Sequence, residues 1–465
     1  MVALAVLSFL TILLLAGYGI RTRLAGQRQA LLQQQLGQDL KEMEWFLRTT
    51  YGLPLHNVEP EQAHIRERMS SIEARLRSYG ELGQPLAHFA LGRGYLALHE
   101  PEQSLEHLQQ AARAGTVSPQ LAYTMGLAFG NLYDKALDEA ARTDRSTFNE
   151  RREALRQKYV VQALSYLQRG RGAQLESPEY LEGLLAFYNE DYPGAIRHAQ
   201  AAYAQAPWLY EARSLEGNAY YRLAHRQRNT GDTKAAQDNY QRAISAYQRA
   251  AEVGRSDARI YVRLQRAFSD LIEASDWSGT NAQAALEQAA AATDKAIAAS
   301  PSYYGAYMAA GQIYYFLSES LWGQGKDPRP AIEKAISVAT IGLSYKHDEP
   351  EAGCVLGGAN FRLASYQNGR GEDAQAALRA GAAAFQSVLA RNPEYPDALL
   401  GMSVISREEA VYLRQHGKPL EASLAAMMDY VDRYIKSARD KYNPSDYPPL
   451  IISHTMFADY YRRRG

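Results

Sequence analysis

Residues 183–220 read GLLAFYNEDYPGAIRHAQAAYAQAPWLYEARSLEGNAY and contain the pattern that decides the fold. Gly183 and Gly217 are 34 residues apart, and each lies within a segment whose apolar residues recur at helical spacing. Between them is the signature of a second helix, in which small residues recur before a proline: Ala195, Ala199, Ala202 and Pro207. Small side chains at such positions let two helices cross closely. The stretch therefore predicts a repeating pair of antiparallel helices.

Further copies of this pattern occur on both sides of residues 183–220. They include Leu91-Gly92-x-x-Tyr95, Met125-Gly126-x-x-Phe129, Gly311-x-x-Tyr314 and Leu356-Gly357. Together the copies resemble the tetratricopeptide repeat, a 34-residue helix pair with L-G-x2-Y in the first helix and spaced alanines in the second. The resemblance implies an all-α helical-hairpin solenoid of about eight helix pairs over residues 85–465. A helix after residues 448–449 is predicted to close it.

Repeats four to seven are longer than the standard unit. About 12 to 14 extra residues separate the first-helix aromatic from the second-helix alanine in these copies. Turn-forming segments mark the middle of each insert, at residues 227–233, 276–281, 323–328 and 368–373. We therefore expect each helix to gain nearly two turns, roughly 10 Å, beyond the standard length. Residues 134–157 are a further charged, helical segment in the second repeat.

Composition excludes several classes of protein. The 465 residues include 51 basic and 51 acidic side chains, so no charge excess favours a nucleic-acid partner. A single cysteine, Cys354, excludes an intramolecular disulfide and any multi-cysteine metal site. We expect Cys354 to pack within a first helix.

The chain begins with an uncharged apolar run, VALAVLSFLTILLLAGYGI, at residues 2–20. As a helix this run is long enough to span a bilayer, so residues 1–22 are predicted to be a transmembrane anchor. The alternative, a cleaved signal peptide, lacks its basic leading region here. A bacterial cell membrane with a single span is the expected location.

The orientation of the predicted anchor rests on two opposing arguments. Arg21, Arg23 and Arg28 follow the span and favour cytoplasmic repeats, provided that Met1 is the true start. A lost cytoplasmic N-terminal domain would reverse that preference. We expect the repeats to be extracytoplasmic, for the reason given with the second resemblance below.

Residues 23–84 are predicted to form juxtamembrane helices between the anchor and the repeats. The first carries an apolar stripe at helical spacing: Leu32, Leu36, Leu40, Met43 and Leu47. This stripe either packs on neighbouring helices of the same chain or pairs with a second copy as a short coiled coil. A second helix is predicted from Pro60 to Tyr79, with Ile65, Met69 and Ile72 buried.

A second resemblance rests on EWFLRTTYGLPLHNVEPE at residues 44–61, IRERM at 65–69 and HFALGRGYLAL at 88–98. These stretches resemble the region after the membrane span in a group of bacterial serine/threonine protein kinases, which place a kinase domain in the cytoplasm and a repeat sensor outside it. The resemblance implies a sensing or scaffolding module with extracytoplasmic repeats. The kinase itself is absent, because the chain has no Gly-rich loop with a following V-A-I-K strand, no H-R-D and no D-F-G.

Other catalytic signatures are missing as well. No G-x-S-x-G or H-E-x-x-H occurs, and the pairing of His99 and His107 with Glu102 and Glu106 is typical of ordinary helix ends. We therefore predict no enzyme activity, no catalytic residue, no metal site and no cofactor.

Ligand binding is predicted on the first helices of the repeats. Positions two, five, nine, twelve and thirteen of the first helix face the concave side in proteins of this kind. Here they supply Tyr123, Tyr180, Tyr188, Asn218, Tyr221, Arg222, Arg259, Arg266, Gln312, Tyr315 and Phe316. Aromatic side chains with Asn and Arg can hold an extended peptide.

Two functions follow from these patterns. The first is a membrane-anchored scaffold that binds a protein or peptide in the groove; the alternative is the extracytoplasmic sensor region of a kinase whose catalytic domain lies outside this chain. If the groove side chains face solvent, replacing Asn218, Tyr221, Arg222 and Arg266 with Ala will leave stability nearly unchanged.

Overall fold

The computed structural model describes residues 34–143, 148–275, 280–438 and 447–462, together with positions 23, 27 and 31. Regular secondary structure within these ranges is entirely helical. The chain forms two compact units: unit 1 runs to Leu215 and includes Val253–Ser256, while unit 2 comprises Glu216–Glu252 and the chain from Asp257 onward. The predicted span at residues 2–20 lies outside the described residues. No helix within them is long and apolar enough to cross a membrane.

Unit 1 contains two leading helices followed by helical hairpins, in which each first helix packs against the next helix in sequence. Its helices are α1 (34–52), α2 (Glu59–Ala74), α3 (Gly80–Ala97), α4 (Pro101–Arg113), α5 (Pro119–Thr143), α6 (Phe148–Leu155), α7 (Val161–Arg169), α8 (Pro178–Tyr188) and α9 (Tyr192–Gln205).

Unit 2 continues the same arrangement, and α10 spans the boundary between the units. Its helices are α10 (Tyr210–Asn229), α11 (Thr233–Val253), α12 (Ala258–Glu273), α13 (Thr280–Ala299), α14 (Tyr304–Gly323), α15 (Arg329–Tyr345), α16 (Pro350–Arg370), α17 (Gln375–Leu389), α18 (Pro396–Gln415), α19 (Glu421–Ala438) and α20 (Tyr447–Arg462). In the described part of the chain, α3–α19 form eight hairpins and α20 closes the series. The predicted all-α array of helical hairpins is confirmed.

Glycines allow the close helix crossings that the sequence predicts. A Cβ atom on Gly92 would lie 2.6 Å from Leu108, and one on Gly217 would lie 2.5 Å from the ring of Tyr247. Real Cβ atoms do not approach heavy atoms so closely. Only glycine therefore fits at each position, because the second helix of the same hairpin packs directly against its backbone.

The later hairpins are elongated, as predicted, but the gain is not shared equally by every helix, since α17 has 15 residues and α9 has 14. The first helix of the third hairpin, α8, has 11 residues, whereas α14 has 20 and α16 has 21. At 1.5 Å per residue, the longer helices extend roughly 14 Å further. Their turns carry glycines in the left-handed region, Gly325 (φ 72°) and Gly371 (φ 71°), which accept this conformation without strain.

The charged segment at residues 134–157 belongs to the second hairpin. It comprises the end of α5, the helix α6 and the start of a single π turn, Arg156–Val160, that joins α6 to α7. Arg152 and Arg156 both pair with Glu190, at 3.0 and 3.1 Å. The segment therefore packs against the end of α8 within unit 1.

Helix α1 packs on the same chain through its apolar stripe. Leu36, Leu40, Met43 and Leu47 are 4, 5, 1 and 2% exposed, which confirms intramolecular packing over the coiled-coil alternative; Leu32 lies outside the described residues. Ion pairs flank the stripe, with Glu44 bonded to Arg93 of α3 at 2.8 Å and Arg48 facing Glu211 of α10 at 3.4 Å.

The segment after α1 is anchored far along the chain. The Ser256 amide donates to the carbonyl of Tyr51 at 3.0 Å, and the His56 amide donates to Ser256 Oγ at 3.2 Å across 200 residues. Ser256 is fully buried. We name this arrangement the N-terminal strap: α1 and residues 53–58, held at Val253–Ser256.

Candidate functional site

Unit 2 presents a row of aromatic and charged side chains on neighbouring first helices. Tyr315, Glu319 and Trp322 follow one another on one face of α14, at spacings of four and three residues. The Arg362 side chain of α16 lies across this face. We name these four residues the first-helix strip.

Arg362 is the centre of the first-helix strip. Its guanidinium lies 4.9 Å from the ring centroid of Tyr315, and Nη2 donates to the Tyr315 hydroxyl at 2.9 Å and to Glu319 at 3.1 Å. The side chain is only 14% exposed, and among the described residues its buried Nε has no hydrogen-bond partner. Burial alone would lower the pKa of Arg362, but the Tyr315 and Glu319 oxygens outweigh it and the pKa is raised. A permanently charged and largely buried guanidinium thus lies beside an aromatic ring.

A second arginine extends the strip onto α18. Arg407 lies over the ring of Phe361 at 5.9 Å and within 3.4 Å of Glu408. The Asn368 side chain donates to the backbone oxygen of Glu408 at 2.9 Å. These contacts fix α16 against α18 and hold the strip in place.

The structure brings three of the predicted groove residues together around Asp270: Tyr221, Arg222 and Arg266. The Tyr221 hydroxyl donates to the Asp270 carboxylate at 2.5 Å, and His225 contacts the same oxygen at 2.9 Å. Burial, followed by the negative charge of Asp270, raises the pKa of Tyr221 well above its usual value, while nearby Arg266 and Arg222 act in the opposite direction. Burial likewise acts to raise the pKa of Asp270, but the bonds from His225 and Tyr221 prevail and lower it.

Other predicted groove residues of unit 2 have separate surroundings. Asn218 accepts a hydrogen bond from Tyr247 of α11 at 2.8 Å, and Arg259 is bound to Asp257 at the start of α12 at 2.7 Å. Gln312 is exposed, and Phe316 packs edge-on against Tyr315.

These contacts change the expected effect of the four-residue replacement. Because Asn218 and Tyr221 bind buried partners, replacing them with Ala removes structural hydrogen bonds as well as surface. The four side chains therefore do not all face solvent, so the condition for unchanged stability is not met and a binding test needs a different residue.

In unit 1 the predicted groove tyrosines are partly or fully buried. Tyr123 lies near Tyr180 and near Arg48 of the N-terminal strap. Burial is the main cause that raises the pKa of Tyr123. Tyr180 also packs on the cluster around Leu209. Tyr188 is buried against Phe187, with ring centroids 5.5 Å apart.

Two residues of the candidate site that the sequence prediction omitted occupy a predicted position. Arg362 follows Gly357 by five residues, as Arg222 follows Gly217, and Asp270 holds the equivalent place in α12. Counting every repeat to position thirteen would have found both.

A cleft lies at the turn end of the strip, between the tips of the elongated hairpins. It is lined by Trp322, Gly325, Lys326, Asp327, Arg329, Tyr366, Gly369 and Arg370 and has a volume of about 390 Å³. We name it the tip cleft. The indole of Trp322 meets the ring of Tyr366 edge-on at 5.6 Å.

The Cys354 thiol lies in a packed environment. Burial raises the pKa of the Cys354 thiol well above its usual value, and this side chain packs on the core around Phe385. No group of three or more His, Cys, Asp or Glu side chains in the described ranges is arranged to hold a metal ion.

Two histidines of the first hairpin share a single contact. His88 of α3 and His107 of α4 approach through their Nδ1 atoms at 2.9 Å, and His107 also faces Glu73 at 3.4 Å. Tyr95 stacks on His107 and donates to Glu73. Burial is the main cause that lowers the pKa of both imidazoles, and it outweighs the opposing charges of Glu73 and Glu106.

We predict that acid destabilises unit 1 through this pair. Because both pKa values lie below 6.5, the unfolded chain binds protons first as the pH falls, so stability declines from about pH 7 downward. Urea denaturation at about pH 7.5 and pH 5 measures the decline. His88→Asn is expected to reduce it, whereas His347→Asn, at an exposed site, is expected to leave it unchanged. An equal decline in wild type and His88→Asn would contradict the prediction.

Comparison with known proteins gives distant structural similarities. No protein-family model matches the chain, and no curated protein matches it. The C-terminal part of a TPR repeat-containing protein from Cytophaga hutchinsonii is 15% identical, with 67% of this chain and 98% of that one covered and a TM-score of 0.37. A thermophilic TPR protein of Thermus thermophilus is 16% identical, with 51% and 100% covered and a TM-score of 0.28. Human IFIT1, in a dimer with m7Gppp-AAAA, is 13% identical, with 91% and 86% covered and a TM-score of 0.35.

Proposed function

We propose that this chain is a binding scaffold, without catalytic activity of its own, that holds a protein or peptide on the first-helix strip. The observation that carries the proposal is Arg362: a half-shielded guanidinium beside Tyr315 whose Nε has no acceptor among the described residues. Buried donors are normally paired, so the unpaired Nε indicates that the donors of this guanidinium are not all used, and its part that is still exposed can bind a ligand oxygen.

The surroundings of Arg362 suit a peptide. Aromatic faces such as Tyr315 and Trp322 contact extended chains with little loss of side-chain freedom. The guanidinium has five N–H donors, so it can bind a backbone carbonyl or carboxylate while keeping Tyr315 and Glu319. An array of hairpins places several such faces in series, which favours recognition of a segment over a small molecule.

The test is peptide selection followed by substitution. Peptides selected from a random display library against the wild-type chain are measured by fluorescence anisotropy on Arg362→Gln. We expect affinity to fall at least about tenfold, because a charge-assisted bond and a stacking contact are lost. Arg379→Gln, an exposed arginine of α17, is the matched control and should bind as wild type. Failure to select any peptide, or equal binding by Arg362→Gln, would reject the proposal.

Membrane attachment and location are part of the same proposal. The apolar residues 2–20 support a single bacterial membrane anchor, and the kinase resemblance supports extracytoplasmic repeats. Protease added to intact spheroplasts tests this, since a fully protected repeat region would contradict it.

A second candidate function is the sensor region of a receptor-type kinase. The sequence resemblance supports it, and residues 44–98, which carry that resemblance, are joined by contacts in which Glu44 binds Arg93 and Tyr51 binds Gln62. Such contacts can transmit a change in α1 to the first hairpin. An in-frame kinase upstream of Met1 in the gene would support this candidate, and a stop codon in that frame would reject it.

A further inference from the structure

The tip cleft is a second recessed surface that lies beyond the contacts of Arg362 with Tyr315 and shares Trp322 with the first-helix strip. Its volume of about 390 Å³ is near the lower end of the range for ligand sites. It therefore has room for a few side chains. The cleft exists because α14 and α16 continue past the standard repeat length, so their last turns stand side by side.

A glycine keeps the tip cleft open. Gly369 lies in the last turn of α16, and a Cβ placed there would meet only Trp322, at 3.7 Å, which is ordinary contact. The backbone therefore accepts a side chain at position 369, unlike position 217. A large side chain at Gly369 would occupy the cleft and cover the indole.

Cations outnumber carboxylates around the tip cleft. Arg329 binds Asp327 at 2.6 Å, Arg370 binds Glu372 at 2.8 Å, and Lys326 donates to the neutral Gln283 at 3.0 Å. One positive charge is thus left in excess. Each guanidinium has five donors and can bind a second carboxylate beside the first.

The two arginines flank an aromatic surface. The guanidinium carbons of Arg329 and Arg370 lie 5.8 and 5.7 Å from the ring centroid of Tyr366. Tyr366 and Trp322 provide the apolar wall between them. The cleft therefore combines an apolar wall with a cationic rim, and its complement is an apolar side chain flanked by carboxylates.

We propose that the tip cleft binds an acidic peptide segment in which an apolar or aromatic residue is flanked by Asp or Glu. This inference rests on the proposed function of the chain as a peptide-binding scaffold, and it adds a second contact site with a defined charge. The apolar residue lies against Trp322 and Tyr366, and the flanking carboxylates bind Arg329, Arg370 and Lys326.

The probe is a fluorescein-labelled peptide, Glu-Leu-Glu-Tyr-Glu-Leu-Glu, with its counterpart in which every Glu is Lys. We expect the acidic peptide to bind the full chain in anisotropy titrations and the basic one to bind at least about tenfold more weakly. Gly369→Leu should abolish binding by filling the cleft. Gly323→Leu, at the end of α14 in the neighbouring hairpin and with nothing within 4 Å of its Cβ, should bind as wild type.

Charge reversal provides an independent test. Arg370→Glu should lose the acidic peptide and bind the basic one more tightly than wild type does, while Arg379→Glu should keep the wild-type preference. Unchanged acidic-peptide binding by Gly369→Leu with a wild-type melting temperature overturns the inference. Complete displacement by inorganic phosphate also overturns it, because a simple anion site would then suffice.

The outcome is distinguishable from failure of the proposed function. If library peptides lose affinity for Arg362→Gln but bind Gly369→Leu normally, the result supports binding at the first-helix strip and contradicts binding at the tip cleft. Loss of the acidic peptide in Gly369→Leu alone would establish the cleft without the strip.

Discussion

Gly217→Leu is expected to unfold the fourth hairpin. Even a Cβ atom at this position would lie 2.5 Å from Tyr247 Cε1, and Tyr247 is only 2% exposed and tied to Asn218 by a hydrogen bond. The Tyr247 ring therefore cannot move aside to make room for a leucine side chain, so α10 and α11 must separate. We expect a loss of about 3 kcal/mol or more in the free energy of unfolding, and a smaller loss for Gly217→Ala.

Gly323→Ala is the matched control for this glycine. It lies at the end of α14 in the same unit, and a Cβ there meets nothing within 4 Å. Ala favours helix over Gly by about 1 kcal/mol, so this variant should be as stable as wild type or slightly more stable. Thermal and urea denaturation compare the two; a Gly217→Leu protein that unfolds at wild-type urea concentrations would contradict the packing described for this hairpin.

Leu47→Asp is expected to release the N-terminal strap from the rest of unit 1. Leu47 is 2% exposed in the stripe of α1, so the substitution removes buried apolar area and places a carboxylate where water is excluded. Keeping α1 docked with a buried Asp at position 47 should be unfavourable by at least about 3 kcal/mol, so we expect α1 to undock instead. Hydrogen exchange of the α1 amides should then rise to the level of an isolated helix, and trypsin should cleave rapidly after Arg48.

Thr49→Asp controls for the added charge. Thr49 is on the same helix but exposed, so the variant should keep slow exchange in α1. If Leu47→Asp showed the same protection as Thr49→Asp, the stripe would contribute little to holding the strap.

The periodic part of the fold was predictable because it repeats. Gly217 and Gly92 are recognised by spacing alone, since each hairpin must solve the same packing problem between its two helices. Arg362 was within reach for the same reason, because its position recurs in every first helix. The buried stripe of α1 was also evident from its spacing.

Contacts between non-periodic partners were not predictable. Position in the repeat indicates which face Tyr221 occupies, but only the structure identifies Asp270 as its acceptor. The pairing of Arg48 with Glu211 joins residues 163 positions apart, and no local pattern specifies it. The tip cleft depends on how two left-handed turns aim the ends of α14 and α16, which composition does not reveal.

The N-terminal strap also has a consequence for the order in which the protein is made. Hairpins of a repeat array close as soon as each has been synthesised, because their contacts are local. The N-terminal strap differs, since the hydrogen bond from the His56 amide cannot form until Ser256, 200 residues later, has been synthesised. At 5–20 residues per second, about 10–40 s pass before that partner leaves the ribosome. During this interval the apolar stripe of α1 lacks its final anchor, so the nascent chain has a window in which a chaperone or a second chain can bind it.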